Sequence, residues 1–334
     1  MSVASRVKRL MGNKVEVVVF EKGNWVSFAL CGIPYYLSHK VPTLDMLIHY
    51  PLEEFTKKRG INVKLRTLVY DIEHDKRILR YRDLESNEKY VYEYDYLVLA
   101  TGAKPRAPSK WLGYHNVFTL HSLDDADRLR SYIMRSDVRH VVIIGGGYVG
   151  FEASDNILAL GKKVTIVHSG EWLLHKMIDK DVYEYIDKRI KGRGLNLVLK
   201  HRGTELECRN DKAIAVVLDN GEKVYGDAFL VASGIIPEIS LAKKINAKIG
   251  VTGAVWVDDR MRTSVKDVYA VGDLVETKDL VTGKPIWWPF APIANKMGFI
   301  AGTNIAGGDV RFSGVVRTSV LGAFGYYIAA TGLT

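Results

Sequence analysis

The sequence is poor in cysteine and has no long apolar run. Its 334 residues include only two cysteines, Cys31 and Cys208, far apart in the chain, which excludes a disulfide framework, a CxxC redox pair and a cysteine-rich metal site. No run of 18 apolar residues occurs, so no membrane span is predicted. Blocks of like charge interleaved with aromatic residues are also missing, so the net charge of +9 does not indicate nucleic acid. The composition is typical of a cytoplasmic protein, and phosphorylated small molecules explain the charge better.

The first fifteen residues contain no acidic side chain, which gives them a superficial likeness to a transit peptide. However, Val3, Val7, Leu10 and Met11 fall on one face of a helix, and a strand-like segment follows directly. The pattern therefore predicts a docked helix over residues 2–12.

One layout occurs twice along the chain: an apolar strand with a polar end, and later a second apolar strand that enters a small-residue turn. The first copy is Val15 to Phe20 with Glu21, then Tyr96 to Gly102; the second is Val164 to Val167 with His168, then Ala228 to Gly234. This duplication predicts two nucleotide-binding folds of the α/β class.

A complete GxGxxG motif follows the short apolar strand His140 to Ile144 and begins a helix that ends near Gly161. Gly145 suits a tight turn, Gly147 allows the backbone to approach a pyrophosphate, and Gly150 allows close packing of helix on strand. The N–H groups of the helix N-terminus would bind the phosphates. A merely structural glycine turn is the alternative, which this strand and helix context disfavours.

Six segments spread over the chain carry the motifs of one family: Ser5 to Leu10, Ser27 to Tyr35, Ala100 to Ala103, Gly145 to Gly150, Val268 to Asp273 and Ala291 to Lys296. Together they resemble the pyridine nucleotide-disulfide oxidoreductases. The likeness is to the single-cysteine branch, which contains coenzyme A disulfide reductases, NADH oxidases and NAD(P)H polysulfide reductases.

The resemblance implies two Rossmann-like domains, one for FAD and one for NAD(P), with the second inserted in the first. The expected boundaries are 1–111 and 236–312 for the FAD domain, 112–235 for the NAD(P) domain, and 313–334 for the start of a dimerisation domain. Members of the family form homodimers, so the resemblance also implies a homodimer. Laying helix 2–12 on the second copy puts the first glycine loop and its central strand before Met1, so we expect the FAD domain to lack both.

The resemblance also implies which residues contact the cofactors. For FAD these are Glu21 at the adenosine ribose, Asp273 at the ribityl chain, and Thr101, Gly102 and Ala291. For NAD(P)H they are Gly145, Gly147, Gly150, Tyr148 as a gate over the nicotinamide, Glu152 near its ring, His168 and Gly234. A turn aspartate and a packing tyrosine are the alternatives for Asp273 and Tyr148. His168 replaces the acid that would bind a ribose 2′-hydroxyl, which predicts that NADPH is accepted at least as well as NADH.

Cys31 is the predicted redox residue. Val26 stands where two-cysteine relatives have their second cysteine, so a lone thiol must cycle through a mixed disulfide, persulfide or sulfenic acid. Pro34 marks a helix start, whose dipole is expected to stabilise the thiolate. A buried, inert thiol is the alternative, and we assign that role to Cys208. The resemblance places Lys8, Arg9 and Ser27 at the substrate, although the two basic residues could equally be solvated.

The expected reaction is NAD(P)H-dependent reduction of coenzyme A disulfide, with polysulfide or oxygen as alternative acceptors on the same site. Two other possibilities stay open. With the first glycine loop missing, the chain could be a flavin-free NAD(P)-binding remnant without catalysis, or it could transfer electrons as ferredoxin reductases do. No metal ligand pattern is found.

Overall fold

A computed structural model describes residues 1–333. The helices are α1 (Ser2–Met11), α2 (Ile33–Leu37), α3 (Leu123–Ile133), α4 (Tyr148–Leu158), α5 (Lys180–Gly192), α6 (Ser240–Lys244) and α7 (Ala291–Ile305). The strands are β1 (Val18–Phe20), β2 (Asn62–Lys64), β3 (Thr67–Glu73), β4 (Ile78–Asp83), β5 (Lys89–Glu93), β6 (Leu97–Leu99), β7 (Ala103–Pro105), β8 (Val117–Phe118), β9 (His140–Ile144), β10 (Lys163–His168), β11 (Leu195–Leu199), β12 (Gly203–Arg209), β13 (Lys212–Leu218), β14 (Lys223–Tyr225), β15 (Ala228–Val231), β16 (Ile235–Pro237), β17 (Val268–Ala270), β18 (Thr277–Lys278), β19 (Pro285–Ile286), β20 (Ser319–Ala323) and β21 (Tyr326–Ala330).

The chain divides into two compact units. The first comprises Met1–Phe28, Ile48–Lys104 and Pro237–Arg317, and the second Ala29–Leu47, Pro105–Ile236 and Thr318–Thr334. The segment Ala29–Leu47 lies in the second unit because α2 packs against α3 and α4. The domain boundaries expected from the sequence placed that segment in the first domain, and as functional boundaries they stay predictions.

The second unit contains a parallel sheet of strand order β11-β10-β9-β15-β8. Its central strand β9 pairs in parallel with β10 and β15, with Val142 opposite both Thr165 and Phe229. Strands buried on both faces need continuous apolar sequence, and β9 and β15 have it. The predicted α/β fold is confirmed.

The first unit holds two separate parallel pairs, β1 with β2 and β6 with β17, and an antiparallel sheet β3-β4-β5. Helix α1 packs against α7, which confirms the predicted docked helix. The predicted strand from Val15 was wrong at its start: Gly12–Lys14 form a 3-10 turn after α1, so the ladder begins at Val18.

Within residues 1–333, we find no helix with the length and apolar character that crossing a membrane requires.

Candidate active site

The glycine loop between β9 and α4 has the geometry of a nucleotide cradle. Gly145 has φ of 117°, and a Cβ there would meet the carbonyl group of Ala232. A Cβ on Gly150 would collide with the Gly145 carbonyl oxygen. At Gly147, by contrast, nothing lies within 4 Å of the Cβ position, so the loop is open on that side. The open side and the N–H groups at the start of α4 suit a pyrophosphate.

The turn after β15 lies in the same unit. Gly234 has φ of 106°, and its carbonyl accepts a hydrogen bond from the Arg106 N–H at 2.9 Å. The Ser233 hydroxyl donates to the Arg106 carbonyl at 2.6 Å. These bonds fix the turn, and a contact of Gly234 with nucleotide stays a prediction.

His168, the last residue of β10, is buried and holds the glycine loop. Its Nδ1 accepts a hydrogen bond from the Gly146 N–H at 3.1 Å, and its Nε2 lies 3.0 Å from Nδ1 of His175. Burial lowers the pKa of His168 to about 4, with a further contribution from the nearby His175. The ring is therefore neutral at pH 7, and the bonds assign its proton to Nε2. The sequence alone did not predict this contact with Gly146.

Cys31 is exposed and lies in a 3-10 turn, Leu30–Gly32, just before α2. Pro34 occupies the first turn of α2, as predicted. The expectation of a stabilised thiolate was wrong, because partial burial of the sulfur raises the pKa of Cys31, and the Glu152 carboxylate raises it further. Helix α2 has only five residues and starts two positions after Cys31, so its dipole offers little to offset these effects.

Glu152 lies one turn into α4, in the same unit as Cys31. The Gly322 N–H and the Tyr35 hydroxyl both hydrogen-bond to its carboxylate. Burial nevertheless raises the pKa of Glu152 to about 7. The Tyr35 hydroxyl also lies 2.8 Å from the Gly322 carbonyl oxygen, so its single proton is shared between that oxygen and the carboxylate. Side chains or backbone from α2, α4 and β20 therefore meet at this carboxylate.

Tyr148, the first residue of α4, is tied to the C-terminal hairpin. Its hydroxyl donates to the Ser319 hydroxyl oxygen at 2.9 Å. Ser319 and Gly322 both belong to β20, which packs against α4. Sequence reasoning missed both residues because they lie far from the glycine loop in the chain and carry no motif.

The first unit contains the residues expected at FAD. Glu21 follows β1, and its Oε1 accepts a hydrogen bond from the Gly23 N–H at 2.7 Å. Asp273 lies in a 3-10 turn after β17, and its carbonyl accepts a bond from Trp287 Nε1 at 2.8 Å. Carboxylates at the ends of parallel strands suit the hydroxyl groups of a dinucleotide.

The remaining FAD candidates form turns and a helix start. The Thr101 hydroxyl donates to the Glu238 carbonyl at 2.6 Å, and Gly102, with φ of 67°, accepts the Glu238 N–H at 2.9 Å. Ala291 is the first residue of α7. The first unit therefore offers strand-end carboxylates and a helix N-terminus, and it fits the ribose and ribityl parts of a flavin dinucleotide.

The predicted substrate residues all lie in the first unit, but their surroundings differ. Lys8 Nζ donates to the carbonyls of Gly12 and Val15 at 3.0 and 3.2 Å, so it caps the end of α1. Arg9 is exposed. Ser27 has φ of 56°, and its carbonyl accepts the His49 N–H at 2.8 Å. Contact of any of them with substrate stays a prediction.

Comparison with known proteins agrees with this geometry. Residues 1–298 match the family profile described as pyridine nucleotide-disulphide oxidoreductase. The NAD(P)H sulfur oxidoreductase (CoA-dependent) of Pyrococcus abyssi is 43% identical over 335 residues, which cover 100% of this chain and 73% of that protein.

Two solved structures superpose closely. The NAD-dependent persulfide reductase of A. fulgidus gives a TM-score of 0.93 at 34% identity, over 100% of this chain and 62% of that one. The reduced CoADR-RHD of Bacillus anthracis also gives 0.93, at 31% identity, over 100% and 59%. The present chain thus spans less than two thirds of either solved chain.

The fold and the glycine loop define a nucleotide-dependent oxidoreductase of the α/β class. More particularly, the chain belongs to the pyridine nucleotide-disulphide oxidoreductase family. The predicted family and the predicted enzyme class are confirmed.

Proposed function

We propose that this protein uses NAD(P)H to reduce a sulfur–sulfur bond in coenzyme A disulfide, with Cys31 as the sulfur that attacks the substrate. One observation carries the proposal: an exposed cysteine residue lies in the same unit as the nucleotide loop, on a segment that packs against the helix following that loop. The names of the relatives from P. abyssi and B. anthracis support coenzyme A chemistry.

In this proposal the second unit binds NAD(P)H. The N–H groups of the Gly145–Gly150 loop hold the pyrophosphate, and Gly147 leaves room for it. His168 keeps the loop in place through Gly146 and leaves no carboxylate at the strand end to repel a 2′-phosphate. Tyr148 and Glu152, on the first turns of α4, are the residues that would line the nicotinamide site.

The first unit binds FAD through Glu21 and Asp273, which accept hydrogen bonds from ribose and ribityl hydroxyls. The flavin supplies a carrier that passes an electron pair between the nicotinamide and sulfur. Trp287 fixes the backbone at Asp273 through its bond to the carbonyl. A cytoplasmic location and a homodimer stay predictions.

At Cys31 the thiol attacks one sulfur of the substrate disulfide. The Cys31 S–H bond breaks, a new sulfur–sulfur bond forms, the substrate bond breaks, and the proton ends on the departing thiol. The product is a mixed disulfide between Cys31 and coenzyme A. Its reduction by the electron pair from NAD(P)H, with one proton from NAD(P)H and one from solvent, returns two thiols.

Polysulfide or persulfide sulfur is the second candidate acceptor, because the P. abyssi and A. fulgidus relatives are named for sulfur and persulfide reduction. The Cys31 thiol would attack the terminal sulfur of the polysulfide, whose sulfur–sulfur bond breaks, so that Cys31 becomes a persulfide and the shortened polysulfide leaves with the proton.

The test measures NAD(P)H consumption by FAD-loaded protein with coenzyme A disulfide, polysulfide and oxygen in turn. We expect the fastest turnover with the disulfide, its loss in Cys31→Ser, and parental rates in Cys208→Ser. Fastest turnover with polysulfide would select the second candidate, and with oxygen an oxidase. An unchanged rate in Cys31→Ser would refute the sulfur mechanism, and protein that takes up no flavin would point to a flavin-free nucleotide-binding role.

A further inference from the structure

Cys31 and Glu152 lie on two segments that pack together within the second unit. Cys31 lies two residues before the start of α2, and α2 packs against α4, which carries Glu152. Tyr35, on α2, hydrogen-bonds to Glu152 and so anchors the carboxylate beside the cysteine segment. Tyr35 is four residues after Cys31, a spacing that brings two residues to the same face of a helical segment. The cysteine segment and the helix that carries Glu152 are therefore held together by packing within the protein.

The backbone of β20 fixes the carboxylate from the other side. The Gly322 N–H donates to Glu152, and the Gly322 carbonyl oxygen lies 2.8 Å from the Tyr35 hydroxyl. Within α4, the Glu152 carbonyl accepts a hydrogen bond from Asn156 Nδ2 at 2.8 Å. Asn156 is fully buried and accepts the Ser38 hydroxyl at 2.6 Å. Glu152 therefore has little freedom to move toward solvent.

The groups that act on this pair within the described second unit are other acids and phenols. Tyr35 of α2 hydrogen-bonds to Glu152 directly. Tyr327 of β21 and Asp155 of α4 raise the pKa of Tyr35. Lys40 lies 3.5 Å from Asp155 and offsets the charge there. Within residues 1–333, no cation forms an ion pair with the Glu152 carboxylate, so its desolvation is not compensated in the way that an ordinary buried carboxylate needs.

We propose that the Cys31 thiol and the Glu152 carboxyl act as one acid pair that carries a single negative charge near neutral pH, with Glu152 ionised while Cys31 is a thiol and taking up the proton that Cys31 gives up when it attacks a disulfide. Two negative charges side by side in a partly desolvated site are costly, so the site favours a single charge shared between the groups. This inference rests on the proposed function, since it assigns a proton partner to the attacking sulfur.

The pairing completes the proton balance at Cys31. When the sulfur attacks a disulfide, its proton passes to the Glu152 carboxylate, directly or through water. The carboxylic acid then returns that proton to the departing thiolate, so no charge is gained or lost in the exchange. Tyr35 and Gly322 are positioning groups that hold the carboxylate for this transfer.

The first test titrates Cys31 in a Cys208→Ser background by the pH dependence of alkylation with iodoacetamide. When Cys31 loses its proton, Glu152 is already ionised, so removing that charge favours the thiolate. Glu152→Gln should lower the alkylation midpoint by about 0.5–1 pH unit, and so raise the rate at pH 7.5 roughly three- to tenfold. Glu184→Gln is the matched control, because Glu184 lies on α5 and pairs with Lys180 at 3.8 Å, and it should leave the midpoint unchanged.

The second test measures the titration of Glu152 and its dependence on the charge at position 31. The carboxyl carbon of Glu152 is followed by NMR in protein labelled with carbon-13 glutamate, and its signal is assigned by its loss in Glu152→Gln. Cys31→Asp places a fixed negative charge at the cysteine and should raise the Glu152 midpoint by a shift similar to the one in the first test, because coupling between two sites is reciprocal. Cys31→Ser should leave the midpoint unchanged, because the parent thiol is neutral in this range.

The pairing would be overturned if the Cys31 midpoint stays constant or rises in Glu152→Gln. It would also be overturned if the Glu152 midpoint is unchanged in Cys31→Asp. If Glu152→Gln does not fold, Glu152→Asp, which keeps the acid but removes the labelled glutamate signal, assigns that signal instead, and the Cys31→Asp arm still decides, since Cys31 is exposed. Neither measurement needs NAD(P)H or an acceptor. Failure of the proposed function would therefore show as lost turnover with intact coupling, and failure of the pairing as turnover without coupling.

Discussion

The imidazole Nδ1 of His168 accepts a hydrogen bond from the backbone N–H of Gly146, 3.1 Å away. The end of β10 is thereby joined to the glycine loop by a neutral ring, at the position where many nucleotide folds carry a carboxylate. The neighbouring carboxylate, Glu171, lies 3.2 Å from Lys200 Nζ, which compensates its charge.

From this arrangement we expect NADPH to bind at least as well as NADH. His168→Asp should shift the preference toward NADH by about tenfold, or about 1.4 kcal/mol, because an aspartate repels the 2′-phosphate. Tryptophan fluorescence titrations with both nucleotides measure this directly. His49→Asp in the first unit serves as the control, and a tenfold NADH preference in the parent would contradict the prediction.

His168 should also make stability depend on pH. Its pKa is about 4 in the folded protein against an ordinary 6.5. Between these values the unfolded chain binds more protons, so the free energy of unfolding rises with pH, and this stabilisation is lost as the pH falls from 6.5 toward 4. His168→Asn cannot titrate, and its amide oxygen can still accept the Gly146 N–H. The fall in Tm between pH 7 and pH 5 should be smaller in this variant than in the parent. The exposed residue His49 provides the control, and His49→Asn should show the parental fall. A parental fall in His168→Asn, or an equally reduced fall in His49→Asn, would refute the prediction.

Two glycines of the loop offer a matched comparison. A Cβ on Gly150 collides with the Gly145 carbonyl oxygen, whereas a Cβ on Gly147 meets nothing within 4 Å. Gly150→Ala should therefore lower stability by about 1–3 kcal/mol and weaken NAD(P)H binding. Gly147→Ala should keep the parental Tm yet weaken binding at least as strongly, because its methyl group occupies the side open to the pyrophosphate. Thermal melts and nucleotide titrations separate the two effects, and parental affinity in Gly147→Ala would show that the pyrophosphate does not approach there.

The sequence predicted features that depend on neighbouring residues better than features that depend on residues far apart in the chain. The strand β9, the glycine loop and α4 follow from local periodicity and glycine spacing, and the structure has them where the pattern placed them. The start of β1 was misplaced because the 3-10 turn at Gly12–Lys14 has no strong sequence signal. The pKa of Cys31 was predicted in the wrong direction because local sequence showed a helix start, while burial and Glu152, a distant residue in the chain, determine it.

The same reasoning explains what was missed in the site. Ser319 and Gly322 lie in a hairpin of small and apolar residues, and nothing in their sequence distinguishes them from ordinary strand residues. Their importance arises only when β20 packs against α4 and presents a hydroxyl to Tyr148 and an N–H to Glu152. Such contacts between distant segments are not encoded in any single window of sequence.

The bond between Tyr148 and Ser319 gives the last prediction. If Tyr148 covers the nicotinamide site, as the family resemblance implies, its ring must move when NAD(P)H binds, and the 2.9 Å bond to Ser319 opposes that movement. Removing the bond should then favour binding by about 0.5–1.5 kcal/mol, roughly a two- to tenfold gain in affinity. Tyr148→Phe and Ser319→Ala each remove it, so their effects should be similar, and the double variant should gain no more than either alone.

Tyr183→Phe, which removes the 2.9 Å bond to Asp187 on α5, should leave affinity unchanged. Additive gains in the double variant, or weaker binding in Ser319→Ala, would mean that the bond does not restrain a gate.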